Sequence, residues 1–197
     1  LDISGDIDVD GTANLDVVDI DGAVDMASTL QVDGAITSSS AATITVADNS
    51  YTLTLLSTDT DASSGPNIRL KRDSSSPADD DFTGIIYFQA ENDAGEETDY
   101  QRITTRIRDA SDGSEDGQLT LSSMVSGTLR NRLEFNEGEA VFNDDSVDVN
   151  FRVESDGNAN MLFVDGGNDR LGIGTATPAF TFDLQKSLSE SYSASGR

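Results

Sequence analysis

One short alternating phrase occurs three times at the start of the chain. It occupies residues 7–11, 18–22 and 30–34, and each copy has two aliphatic residues around one polar residue, followed by Asp-Gly. Residues two apart point to the same face of a strand, so each copy predicts a short strand with one apolar face. Asp-Gly predicts a turn, because glycine accepts the positive φ that a tight turn needs. The glycines lie 11 and then 12 residues apart, which is typical of a stacked or spiralling β structure.

These repeats predict a shaft that several chains share. We expect Gly11, Gly22 and Gly34 at equivalent turns, one rung apart, with the preceding aliphatic residues stacked inward; these are Val9, Ile20 and Val32. Burying one such side chain contributes about 1.5–3 kcal/mol, whereas ordering each residue's backbone costs about 1–2 kcal/mol. Half of an alternating strand faces solvent, so a single-chain shaft has little or no net stability. The pattern therefore predicts a β-solenoid or β-prism shaft whose apolar core is shared by several intertwined copies of the chain.

Alternation continues beyond residue 50, where longer polar segments rich in Asp, Ser, Gly and Pro separate the apolar positions. Strands at this spacing, without helical periodicity, predict an antiparallel β domain. A short strand is also expected at residues 43–46. The later apolar positions that mark strands are Leu53 and Leu55, Ile68 and Leu70, Ile85 to Phe88, Ile103 and Ile107, Leu119 and Leu121, and Leu133 and Phe135.

The last apolar segments predict a three-stranded β-meander over residues 149–174, with turns at 155–158 and 165–168. One more strand is expected after Pro178. The chain is thus predicted to be all-β and to divide into four parts. These are a repeat-containing shaft at 1–50, an antiparallel β domain at 51–148, a β-meander at 149–184 and a Ser-rich linker or tail at 185–197.

Charge and composition narrow the function classes. The chain has 37 acidic and 12 basic residues, a net charge of −25, and neither histidine nor cysteine. Such a charge argues against binding nucleic acid or an anionic membrane surface, and no apolar run approaches the roughly 18 residues that a membrane span needs. Without His or Cys there is no conventional catalytic triad. We therefore expect that the chain is not an enzyme. A glycosidase activity based on a pair of carboxylates is the alternative that the sequence leaves open.

The basic residues are concentrated in the middle of the chain. Alternation places Arg102 and Arg106 on one strand face, opposite Ile103. Such a group of cations can bind an anionic host glycan or receptor, or it can pair with the chain's own carboxylates across strands or between chains. The candidate contact residues are Arg69, Lys71, Arg102, Arg106 and Arg108.

Asp6, Asp8 and Asp10 precede Gly11 as in the first half of a calcium-binding EF-hand loop. The twelfth position, Val17, lacks the required glutamate, so the segment is not an EF-hand. We favour the interpretation that the segment is an acidic strand face exposed to solvent. The alternative is a structural calcium ion bound between rungs or between chains. We expect no catalytic residue, no bound metal and no cofactor.

Three segments carry a family likeness: residues 151–178, with the ending GIGTATP, residues 57–94, with the central run GPNIRLKRDSSSPADDDFTG, and the DIDVDG and VDIDG repeats. They resemble segments of bacteriophage tail fibres and tail spikes, especially those of marine phages that infect cyanobacteria. The resemblance implies an elongated homotrimer, located extracellularly in the virion. It would associate with other tail proteins and attach to a host-surface glycan or protein. A tail-spike depolymerase and a bacterial surface adhesin or filament are the alternatives.

Overall fold

The computed structural model describes residue 10, residues 18–27 and residues 29–185 of the chain. Within these residues it is all-β, with nine strands in two sheets and no helix. The all-β prediction is therefore confirmed. The chain divides into two units, Leu1–Pro66 and Asn67–Arg197, and both sheets lie in the second. No described helix could span a membrane.

Local turns organise the described part of the first unit. Bends occur at residues 21–22 and 33–34, which are the second and third Asp-Gly pairs. Further along, the backbone N–H of Ser50 donates to Asp48 Oδ1 at 2.9 Å. The Ser50 hydroxyl bonds the same carboxylate, and the two bonds together lower the pKa of Asp48 because both favour its charged form.

The aliphatic residues of the repeats are exposed in the single chain. Ile20 is 54% and Val32 is 42% exposed, whereas Val9 and Gly11 lie outside the described residues. The predicted inward stacking is thus absent within the described chain. Predicted strands are also absent at residues 43–46, 53–55 and 68–70. A strand needs a neighbour that completes its backbone hydrogen bonds, and alternation alone does not provide one.

Five consecutive strands form an antiparallel sheet in chain order. The first four lie where alternation predicts them, and the short fifth was not predicted. At the β3–β4 turn, Ser126 and Gly127 have φ angles of 48° and 78°, as a two-residue type I′ hairpin requires. The strands are β1 (Phe82–Glu91), β2 (Glu97–Asp109), β3 (Asp116–Val125), β4 (Thr128–Phe135) and β5 (Ala140–Phe142).

The register gives this sheet one apolar face. A row of directly opposed residues crosses all five strands and is apolar throughout: Ile86, Ile103, Leu121, Leu133 and Phe142. We call this set the apolar row. Its members are partly or largely exposed in the single chain, with Ile86 at 43% and Phe142 at 52%. The sheet therefore presents an apolar face that its own chain covers only in part.

The opposite face carries polar residues at the intervening positions. Thr104 pairs with Thr120, which pairs with Glu134. On either side of Thr104 along β2 lie Arg102 and Arg106, as the alternation of β2 predicts. We call this surface the polar face.

The second sheet begins with the predicted meander. Strands β6 (Phe151–Ser155), β7 (Asn158–Asp165) and β8 (Arg170–Ile173) are antiparallel, and β9 (Phe182–Leu184) then pairs parallel with β8. Phe163 in β7 is 8% exposed and is the one buried hydrophobic residue of the described chain. The two sheets meet where the rings of Phe142 and Phe151 approach to 4.6 Å between centroids.

The GIGTATP segment folds back over β8. A Cβ on Gly172 would lie 2.7 Å from the carbonyl oxygen of Thr175. Gly174 has a φ of 78°, and a Cβ there would meet the carbonyl oxygen of Gln185. Arg170 Nη1 donates to the carbonyl oxygen of Pro178 at 2.9 Å and closes the loop. Both glycines are therefore required by close backbone approaches.

We expect Gly174→Ala to destabilise the second sheet by about 1–3 kcal/mol, because it forces a side chain into a positive φ and against a carbonyl. The matched control is Gly157→Ala in the β6–β7 turn, where no atom lies within 4 Å of a Cβ. Urea unfolding midpoints at equal protein concentration measure both. Equal losses in the two variants would contradict this account of the motif.

Candidate functional site

A groove of about 170 Å³ lies on the polar face of the five-stranded sheet. Strands β1 to β4 all contribute to it. We call it the polar groove. Its lining residues are Phe82, Arg102, Thr104, Arg106, Gln118, Thr120, Ser122, Asn131 and Glu134.

The floor of the polar groove is buried. Thr104, Thr120, Ser122 and Glu134 are each less than a tenth exposed, because they lie on the central strands β2, β3 and β4. The Ser122 hydroxyl is 3.1 Å from Asn131 Oδ1 and donates to it. Part of the floor is therefore fixed by hydrogen bonds within the sheet.

Three other polar atoms in the groove lack such a bond. Within the described chain, Arg102 Nε, Thr104 Oγ1 and Arg106 Nε are buried without a hydrogen-bond partner. A buried donor left without a partner costs about 1–3 kcal/mol, so such atoms are uncommon unless a ligand or water completes them. They belong to alternate residues of β2 and form one column of donors.

Arg106 is held at one end of this column. Its guanidinium carbon lies 4.5 Å from the centroid of the Phe82 ring, a cation–π contact. Arg106 Nη1 is 3.6 Å from Asp80 Oδ1, and the same carboxylate oxygen pairs with Arg108. The Asp80 carboxylate thus engages Nη1, while Nε stays unpaired.

Two aromatic residues flank the arginines on β1. Phe82 is the cross-strand partner of Arg106, and Tyr87 is the partner of Arg102. Sequence reasoning missed this arrangement because simple alternation places Phe82 with Gly84, on the other face. A β-bulge between Phe82 and Gly84 reverses the alternation at that point.

The five candidate contact residues do not form one site. The groove contains Arg102 and Arg106, whereas Arg108 lines a neighbouring groove with Glu137 and Glu139. Arg69 and Lys71 lie in the irregular segment before β1, and Lys71 Nζ pairs with Asp73 at 3.0 Å. The remaining polar lining, including Asn131 and Glu134, has no signature in the sequence.

The acidic clusters form turn and pairing contacts. Asp79 accepts the backbone N–H of Ala110 at 2.9 Å, and Asp81 pairs with Arg72 at 3.1 Å. Among the described residues no group of three or more acidic side chains is placed to hold a metal ion. Asp6 and Asp8 of the calcium hypothesis lie outside these residues.

Comparisons with known protein families, curated proteins and solved structures found no match to this chain.

We expect Thr104→Val to leave the free energy of unfolding unchanged or to raise it, because valine keeps the shape and removes an unpartnered buried hydroxyl. Ser122→Ala is the matched comparison on β3. It should destabilise the protein by about 1 kcal/mol, since it removes the donor to Asn131. Urea unfolding without ligand measures both, and a clear loss in Thr104→Val would show that its hydroxyl already has a partner.

Proposed function

We propose that this chain is a structural and adhesive segment of a bacteriophage tail fibre, in which three copies share one apolar core. The observation that carries the proposal is the apolar row, which crosses five strands and which its own chain leaves partly exposed at every position. A sheet with one apolar face is stable only when another layer covers that face. Copies of the same chain offer an identical apolar face for this purpose.

The size of the uncovered surface supports an association between chains. Besides the apolar row, Phe88 is 51% and Phe135 44% exposed, and both lie on the same face. Burying each such side chain contributes about 1.5–3 kcal/mol. Contiguous exposed apolar surfaces of this kind are typical of protein–protein interfaces.

The first unit supports the same assignment. Its described aliphatic residues, such as Val24, Leu30 and Ile36, are all exposed, and many of them alternate with acidic and small residues. Neighbouring copies would bury the aliphatic positions and complete the strand hydrogen bonds that a single chain lacks. The choice of three copies rests on the resemblance of the repeats and the GIGTATP segment to tail fibres.

The adhesive role is assigned to the polar face. When the apolar face is covered, the polar face of the same sheet points away from the shared core. It then presents Arg102 and Arg106 to the surroundings, as contact with a host-surface glycan or protein requires. The virion is the implied location, with other tail proteins as further partners.

We expect the natural chain to sediment as a trimer at about 0.15 M salt. Leu121→Glu should dissociate it, because the charge enters the centre of the apolar row. Gln118→Glu is the matched control, since it puts the same charge on the same strand but on the polar face. Raising the salt should stabilise the natural trimer by screening the repulsion between chains of charge −25.

Sedimentation and native mass measure these outcomes. A stable, folded monomer of the natural chain would contradict both the trimer and the fibre assignment. Release of reducing sugars from a host polysaccharide would instead favour the depolymerase, which needs two carboxylates at a fixed separation.

A further inference from the structure

We propose that the polar groove binds one acidic sugar residue, whose carboxylate is held by Arg102 and Arg106. The inference deepens the proposed fibre function and rests on it, because the fibre arrangement leaves the polar face free for a ligand. The ligand class follows from three properties of the groove: its unpaired donors, its mixed polar and aromatic lining, and its volume.

The unpaired atoms define the charge of the ligand. Arg102 Nε and Arg106 Nε are buried donors without a partner in the described chain, and Thr104 Oγ1 lies between them along β2. Two cationic donors and one hydroxyl favour an acceptor with negative charge. Guanidinium groups bind carboxylates through two parallel hydrogen bonds. Since Asp80 engages Arg106 at Nη1, the edge that carries Nε is the one left for a ligand.

The rest of the lining favours a sugar over a bare ion. Hydroxyl and amide groups of Gln118, Thr120 and Asn131 surround the donors and can bond the hydroxyls of a sugar ring. Phe82 and Tyr87 on β1 are 42% and 49% exposed. They offer apolar ring surface beside the arginines, on which the C–H groups of a sugar can pack.

The volume limits how much of the ligand enters. The groove measures about 170 Å³, which is below the roughly 300–1,000 Å³ of pockets that enclose drug-sized ligands. It therefore suits a single residue, with the remainder of an acidic polysaccharide running outside the groove. One carboxylate, Glu134, lines the floor, and its repulsion would weaken the binding of an anion.

The experiment titrates the ¹⁵N-labelled full chain and follows the arginine Nε–H resonances. Sodium D-glucuronate is the acidic sugar, D-glucose the neutral one and sodium sulfate the bare oxyanion, all at constant ionic strength. We expect glucuronate to shift the signals of Arg102 and Arg106, glucose to leave them unchanged, and sulfate to act only at higher concentration.

Single substitutions test whether the glucuronate-induced shifts arise from binding in the polar groove. Arg102→Gln should weaken glucuronate binding by about tenfold or more through loss of a charge-assisted hydrogen-bond pair. Thr104→Val should also weaken it, and Glu134→Gln should strengthen it. Arg152→Gln on β6, where the arginine pairs with Glu154, is the matched control and should bind like the natural chain. The same spectra report whether each variant is folded.

Four results would overturn the inference. These are no shift at any glucuronate concentration, equal affinity for sulfate and glucuronate, equal weakening in Arg152→Gln, and Nε signals that are already hydrogen-bonded and unresponsive. The last would mean that the Nε atoms already have hydrogen-bond partners and are not available to a ligand. Native mass spectrometry of the same sample gives the number of associated chains, so it tests the fibre proposal independently of ligand binding. A trimer that fails to bind overturns only the ligand, whereas a monomer that binds supports the groove and overturns the fibre.

Discussion

The apolar row of the five-stranded sheet is the feature on which the proposed association between copies depends. Directly opposed residues from Ile86 to Phe142 form a continuous apolar line across five strands. The hydrophobic contribution to stability is roughly proportional to the apolar area removed from water. In the single chain part of this area stays in water at every member of the row, and Phe163 of the other sheet is the one buried hydrophobic residue described. This imbalance is the physical basis for proposing that several copies associate.

The same alternation that creates the apolar face also creates the polar groove. Arg102, Thr104 and Arg106 of β2 point away from the apolar row and line the groove as one column. Arg102 and Arg106, two of the chain's 12 basic residues, thus lie in one groove of a molecule whose net charge is −25. Asp80 neutralises part of this charge at one end. Among the described residues, Arg102 Nε, Arg106 Nε and the Thr104 hydroxyl are the buried side-chain atoms without a hydrogen-bond partner.

The GIGTATP segment has a stereochemical explanation in the fold. Thr175 and Pro178 are buried where the chain turns back over β8, and this return leaves no room for a side chain at Gly172 or Gly174. The fold-back also brings β9 beside β8 in parallel. The two glycines of this segment therefore permit the fold-back that places β9 beside β8. The candidate ligand site is in the other sheet.

The sequence by itself determined the all-β class, strands β1 to β4 and the meander, because the two-residue alternation and the turn residues act locally. It also identified Arg102 and Arg106 as a pair on one face. Only the tertiary structure showed which residues join them. A bulge turns Phe82 toward Arg106, and another bulge, opposite Leu121 and Ser122, brings Asn131 to the same face as Glu134. A bulge reverses the alternation and arises from pairing with a neighbouring strand, so no local pattern reveals it. The strands predicted at residues 43–46, 53–55 and 68–70 are absent for a related reason. Alternation indicates which face of a segment is apolar, but it does not indicate whether another strand lies beside that segment.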